Sequence, residues 1–392
     1  MRKVIGVDIS KAKLNYCLVT DDGEVLDEGH IQNTLDGFEV LQTMLQQENL
    51  EVIFEATGVY SRRFQYYLEL HDIGYTRMNP LQAKKEMDTL RVTKNDAIDA
   101  RQLATLQMTK HYPTTIVEGD VYLELRHQHR FYQEITDDGA QAKNRLHKCL
   151  QDTFSEIEQL FAGNSTSLYR IIQIIPHAHM IKGQSVAHVA KMIQPIYGTS
   201  QVRALKVARK LLTLANRTAV SVPVTSTLTE QTRHWATKII AYQEQKLAII
   251  DAMSKAAEVI AEVDILESVP GLGRVNALCL IAELGNINRF ATPQKMNAFV
   301  GIDLRFNDSG QMKTTGFTTK RGNATARKIL FKTVLCVMAA AGRGQSCNVS
   351  EWYRRRSRDI VGSRKKIIVG AMDRVLRLIH HMVINQETFN YK

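Results

Sequence analysis

Three features of the sequence predict an α/β N-terminal domain, then a long helical coiled-coil region, then a mostly α C-terminal domain. The first 30 residues alternate as hairpin-linked strands, residues 121 to 161 change to helical spacing, and a glycine-bearing hairpin between two apolar helices begins at Leu266. Val4-Ile5-Gly6-Val7 is an apolar run that predicts a buried strand. Leu14-Asn15-Tyr16-Cys17-Leu18-Val19 alternates as a second, and Asp21-Asp22-Gly23 is a hairpin turn before a third, Glu24-Val25-Leu26. An amphipathic stretch around Phe38, Leu41 and Leu45 precedes a short strand, Val52-Ile53-Phe54-Glu55, then a helix near Phe64 to Leu70, Tyr75 and further helices. Strands followed by alternating helix and strand set this domain at 1–110.

Beyond it, Leu146, Leu150, Phe154, Ile157 and Phe161 recur at steps of four or three, and Leu247, Ile250, Met253, Ala257 and Ile260 follow Ile240 at matching spacing. Two such helices either pair as an antiparallel coiled-coil arm or pack as ordinary bundle helices. Between them, 163–235 is punctuated by Pro176, Pro195, Gly198 and Pro223, holds a basic helix candidate from Arg203 to Arg217, and carries no motif that assigns it a role. This helical region is set at 111–265. The segment from Leu266 to Gly285 then reads as a helix-hairpin-helix around Pro270-Gly271-Leu272-Gly273, opening the C-terminal domain, 266–392. Gly271 and Gly273 would let the backbone approach a phosphate, with Arg274 and the free N–H groups of the second helix beside it. A plain helical corner with a glycine turn fits the same residues.

Charge narrows the partners. The chain has 51 Lys+Arg against 40 Asp+Glu, and residues 301 to 392 carry 18 of the basic and only 6 of the acidic ones. Arg354-Arg355-Arg356-Ser357-Arg358 and Arg364-Lys365-Lys366 make that block locally dense, a field that attracts polyanions, nucleic acid foremost. No apolar run has membrane-spanning length, and the acid in the first apolar run argues against a secretory signal. The five cysteines are far apart and never spaced as C-x-x-C, so neither a disulfide scaffold nor a cysteine zinc site is expected, and a cytoplasmic home fits.

The chemistry-bearing residues are carboxylates. Asp8 sits inside the first buried strand and Glu55 ends the Val-Ile-Phe strand; an acid in such a place needs a compensating partner. Asp96 and Asp99, three apart, share one face of a helix over 95–109. Taken singly, each reads as a turn, strand-end, cap or surface acid. Together they make a divalent-metal site whose like charges need a cation, with oxygen-only ligands that favour Mg²⁺, or Mn²⁺, over zinc.

The order of these motifs, Gly6-Val7-Asp8-Ile9-Ser10-Lys11, Glu55-Ala56-Thr57-Gly58-Val59-Tyr60, Lys94-Asn95-Asp96-Ala97-Ile98-Asp99-Ala100, Pro270-Gly271-Leu272-Gly273 and Ser309-Gly310, resembles the DEDD transposases of the insertion-sequence 110 type, a group that includes pilin-gene invertases. The resemblance covers about residues 1 to 110 and 260 to 385. It implies a RuvC-like N-terminal domain on a ribonuclease H fold, with Asp8, Glu55, Asp96 and Asp99 holding Mg²⁺. It also implies a serine nucleophile at Ser309, an active site shared between protomers of a dimer or tetramer, donor and target DNA as substrates, and guidance by a non-coding bridge RNA. Lys313, Lys320, Arg321 and Arg327 flank the serine as phosphate-clamp candidates, and Arg364, Lys365 and Lys366 as nucleic-acid contacts.

Two departures stand out: Asp308 directly precedes Ser309, and 163–235 matches no family motif. Without the resemblance, Asn307-Asp308-Ser309-Gly310 reads as a turn. Other readings of the residues are a metal-dependent nuclease or junction resolvase in which water attacks, an actin-like sugar or acetate kinase lacking its second phosphate loop, and a non-catalytic nucleic-acid binder.

Overall fold

A computed structural model describes residues 2–87, 96–161, 165–305, 317–358 and 364–390, without the side chains of 96, 97, 304, 305 and 317. The chain forms two compact units, Met1–Val117 and Glu118–Lys392.

In the first unit, β1 (Lys3–Ile9), β2 (Lys13–Thr20) and β3 (Val25–Gln32) form an antiparallel meander. Next come α1 (Leu35–Leu45), β4 (Leu50–Glu55), α2 (Ser61–Leu70), β5 (Tyr75–Met78), α3 (Pro80–Met87) and α4 (Asp96–Lys110). The sheet order is β3-β2-β1-β4-β5, with β4 parallel to both β1 and β5. Because β1 is central and covered on both faces, it reads as a continuous apolar run. Ile5, Val7 and Ile9 pack on one side with Phe38, Phe54, Phe64 and Leu68. Val4 packs on the other with Cys17, Ile53 and Leu103 and Ala104 of α4.

The second unit is mostly helical. Its spine is α5 (Asp120–Thr153) against α9 (Thr227–Ala256). The pair runs antiparallel: Lys246 lies over the Tyr132 ring, Arg145 over the Trp235 ring, and the Thr153 and Thr232 hydroxyls meet at 3.3 Å. The sequence pattern needs two corrections here. The helix expected to reach Phe161 ends at Thr153, because Phe154 leaves helical backbone, at φ −165° and ψ 66°, and leads into a short 3₁₀ segment; Phe154 and Ile157 are still fully buried, which is why they keep the apolar spacing. On α9, Leu247 is 68% exposed, while Ala236, Ile239, Ile249 and Met253 carry the packing.

The segment without a motif folds as α6 (Thr166–Ile174), α7 (Val186–Tyr197) and α8 (Gln201–Arg217). These pack with the distal parts of α5 and α9 around Leu146, Phe154, Ile172, Ile193 and Leu211. The near parts of α5 and α9 share a second core with α10 (Glu262–Glu267), α11 (Arg274–Leu284), α12 (Pro293–Val300), α13 (Ala324–Gly342), α14 (Asn348–Arg358) and α15 (Arg364–Ile384). A two-stranded hairpin, β6 (Leu304–Arg305) with β7 (Phe317–Thr318), interrupts them. No described helix is long and apolar enough to cross a membrane, and all five cysteines are free.

Candidate active site

Side-chain alternation puts Gly6 and Asp8 on the same face of β1 as Val4, and Glu55 on the same face of β4 as Ile53. That is the face covered by α4, since Val4 and Ile53 share a core with Leu103 and Ala104. The parallel ladder pairs Gly6 with Ile53 and Val7 with Phe54, so Asp8 and Glu55 stand one step beyond, side by side at the carboxyl ends of adjacent strands. Both are half-buried.

Two contacts orient α4. The Arg2 guanidinium donates to the carbonyls of Gln107 (3.2 Å) and Met108 (3.0 Å) at the helix C-terminus and forks onto Glu51. Toward the other end, Gly6 lies so close to Ala100 and Ala104 that an added Cβ would stand 2.2 Å from the Ala100 carbonyl oxygen and 2.5 Å from the Ala104 nitrogen. The helix therefore runs opposite to β1, and its first turn lies toward the strand end that bears Asp8. Asp99, half-buried, is one helical turn before Leu103 and continues the sheet-facing side. Asp96 opens the helix, and its side chain lies outside the described residues. Among the described residues no three acids, histidines or cysteines come close enough together to hold a metal ion.

One residue on this face is absent from the sequence reading. Asn15 pairs with Asp8 across the β1–β2 hairpin and shares its strand face with Cys17 and Val19. It is 6% exposed, and its amide nitrogen has no hydrogen-bond partner among the described residues. The signal was the two-residue loop, Lys11-Ala12, closed by Ser10 N–H donating to the Lys13 carbonyl; counting back from it sets the register.

Ser309 and Lys313, with Asp308, lie outside the described residues. The described residues on either side of them, 301–305 and 317–323, are held by local contacts. Leu304 pairs with Thr318 and Arg305 with Phe317, and the Thr319 hydroxyl donates to Asp303 at 2.5 Å. Lys320 N–H donates to the Gly301 carbonyl and Asn323 N–H to Phe299, tying the hairpin to the end of α12. Asn323 caps α13 through its side-chain oxygen and donates its amide to Glu283 Oε2 at 2.6 Å. Glu283 is fully buried on α11, with His129 Nδ1 at 3.1 Å and Arg130 Nε at 3.3 Å. Burial opposes its charge, yet the hydrogen bonds from His129, Asn323 and Arg130, and the Arg130 charge, hold its carboxyl down at about 2.

The remaining candidates have varied surroundings. Gly271, at φ +90°, presses against the backbone of Cys336 and Val337 in α13, so its close approach serves packing within the protein. Gly273, open to solvent, precedes α11. Arg274 is bridged to Asp264 and Glu267. Arg327 donates to the Val300 carbonyl at 2.7 Å. Lys320 and Arg321 are exposed where β7 leads into α13, and Arg364, Lys365 and Lys366 are exposed at the start of α15. His177, buried, bridges Val222 O and His179 N–H and so pins a loop.

Comparison with known proteins gives two family matches in chain order. A model for DEDD transposases of the IS110 type matches residues 5–155, and one described as transposase, IS116/IS110/IS902 family, matches residues 263–347. The transposase for insertion sequence element IS1111A of Coxiella burnetii is 33% identical over 89 residues, which cover 23% of this chain. The matched stretch spans 22% of that relative's length.

Proposed function

Starting from a chain that belongs to the IS110 family of transposases, recognised at both its ends, we propose that it is a DNA transposase that cuts and rejoins donor and target DNA through a serine-linked intermediate. Asp8, Glu55, Asp96 and Asp99 would hold Mg²⁺, or Mn²⁺, and Ser309 would be the nucleophile. The observation that carries the reading is the meeting of Asp8 and Glu55 at neighbouring strand ends beneath the acid-bearing first turn of α4. Half-buried carboxylates with no His or Cys among them suit a hard, oxygen-seeking ion. Such an ion would supply charge stabilisation for an in-line displacement at phosphorus. The sheet order β3-β2-β1-β4-β5, with β1 to β3 antiparallel and β4 and β5 parallel to β1, supports a ribonuclease H-like domain of RuvC type.

Ser309 Oγ would attack the scissile phosphorus as the bond to the departing DNA hydroxyl breaks. The phosphoserine link conserves the bond for rejoining, when a DNA hydroxyl attacks it and Ser309 is released. Lys313, Lys320, Arg321 and Arg327 would meet the phosphates. The three-part division, 1–110, 111–265 and 266–392, belongs to this reading, as do the helix-hairpin-helix around Gly271 and Gly273, a shared site in a homo-oligomer, and guidance by a bridge RNA.

The test incubates the purified protein with Mg²⁺, RNA transcribed from the DNA flanking its gene, and labelled element-junction DNA, followed by a denaturing gel. A covalent adduct lost in both Asp8→Ala and Ser309→Ala supports the proposal. Cleaved DNA without adduct, unaffected by Ser309→Ala, assigns a hydrolytic nuclease instead.

A further inference from the structure

The helices α6 to α8 lie between the two family matches, and their charge is one-sided. From Gln159 to Thr229 the chain has no Asp or Glu and eight Lys and Arg. With 40 acids in 392 residues, about seven would be expected over a stretch of that length, so the omission is specific to this stretch. All eight basic side chains are exposed. The ion pairs of the surrounding structure join His147 to Glu158 and Arg233 to Glu230, and among the described residues none involves the eight.

Five of the eight are on α8. At roughly 100° per residue, Arg203, Lys206, Lys210 and Arg217 fall within an arc of about 60°, with Arg209 beside it. The opposite face, Ala204, Val207, Ala208, Leu211 and Ala215, is buried in the helical core. Packing thus fixes the basic stripe outward. At about 1.5 Å per residue it is roughly 20 Å long, comparable to about six base pairs at 3.4 Å each. α8 itself carries no aromatic residue, and the ring next to the stripe, Tyr197, is already covered by the Arg203 guanidinium, so the chemistry of the stripe suits the backbone of a regular duplex.

We propose that the exposed face of α8 binds the phosphate backbone of duplex DNA without reading its sequence. The choice of DNA over RNA rests on the transposase reading above; the polyanion surface itself rests on the stripe. The test measures fluorescence anisotropy of a labelled 24-bp duplex of arbitrary sequence with the full chain in EDTA, across a salt series. Wild type is compared with Lys206→Gln/Lys210→Gln/Arg217→Gln and with the corresponding triple Glu variant, each checked for an unchanged melting curve. Loss of three phosphate contacts should lower the slope of log K against log salt by about 2.7 and weaken binding at least tenfold in low salt. Unchanged affinity and slope in both variants would overturn the proposal. So would weakened binding of a 24-bp RNA duplex with DNA binding intact, which would make the face an RNA surface. Because EDTA removes cleavage from the readout, failure of the adduct test leaves this result independent.

Discussion

A hydrogen atom at position 6 decides how closely α4 approaches β1. In Gly6→Ala the new Cβ would meet backbone atoms of Ala100 and Ala104, which cannot swing aside as a side-chain tip can. Overpacking of this kind costs about 1–3 kcal/mol, and relief requires moving the turn that carries Asp99. The expected outcome is a lower melting temperature and a loss of DNA cleavage larger than the stability loss explains, seen by running both assays at a temperature where the variant is still folded. Asn15 gives the opposite pairing of effects. Replacing its buried amide, whose nitrogen has no partner among the described residues, with the similarly shaped Leu should leave stability equal or higher. If the amide orients the groups that hold the ion, Mn²⁺ affinity in a calorimetric titration should fall roughly tenfold or more. Equal affinity in Asn15→Leu would remove Asn15 from the site. Glu283 governs a pH response. Its carboxyl is held below the ordinary value, so its contribution is present above about pH 4.5 and lost as pH falls toward 2. From the depth of that shift, Glu283→Gln should cost roughly 3 kcal/mol at neutral pH, with wild type and variant converging near pH 2 in urea melts.

Among the elements, the β6–β7 hairpin depends on a polar clasp where the acid-bearing face of the sheet depends on strand order. Asn323 is at once the cap of α13 and a donor to buried Glu283, so Asn323→Ala should cost about 1–2 kcal/mol for the cap and leave one carboxylate oxygen with less support. The proposal that Ser309, between β6 and β7 in sequence, is the nucleophile predicts that adduct formation falls in Asn323→Ala while DNA affinity by anisotropy holds; an unchanged adduct yield would uncouple the clasp from the chemistry. The sequence made the acid positions legible because Asp8 and Glu55 break apolar strand runs and Asp99 keeps helical step with Leu103. Asn15 stayed hidden because one polar residue in an alternating strand is ordinary until the hairpin register sets it across from Asp8. Apolar spacing misled at Leu247, which continues the stripe by count yet points to solvent, and Pro195, read as punctuation, lies inside α7, while Gly198 does punctuate by ending that helix. Glu283 and Asn323 are 40 residues apart, and nothing local announces their pairing.

At the scale of the whole molecule, averages conceal how charge and core are divided. The first 300 residues are nearly neutral in sum, yet they contain the acid-free stretch from Gln159 to Thr229. The cores are divided as well. The second unit has one core around Leu146, Ile172 and Leu211 and another around Leu280, Val334 and Leu376, with Tyr242 of α9 packed against both. The first unit has its own two faces of one sheet. Cooperativity follows packing, so separate cores joined by a helical pair should open with separate free energies. Calorimetric unfolding should therefore show more than one transition. Leu211 is fully buried, and Leu211→Ala should cost about 2–5 kcal/mol in the transition of the α6–α8 core alone, while Gly6→Ala lowers a different one. A single transition shifted equally by both variants would mean that the cores unfold as one cooperative whole. In that case DNA held on α8 would stabilise the entire chain, because the free energy of binding at one place would be shared by every element that unfolds with it.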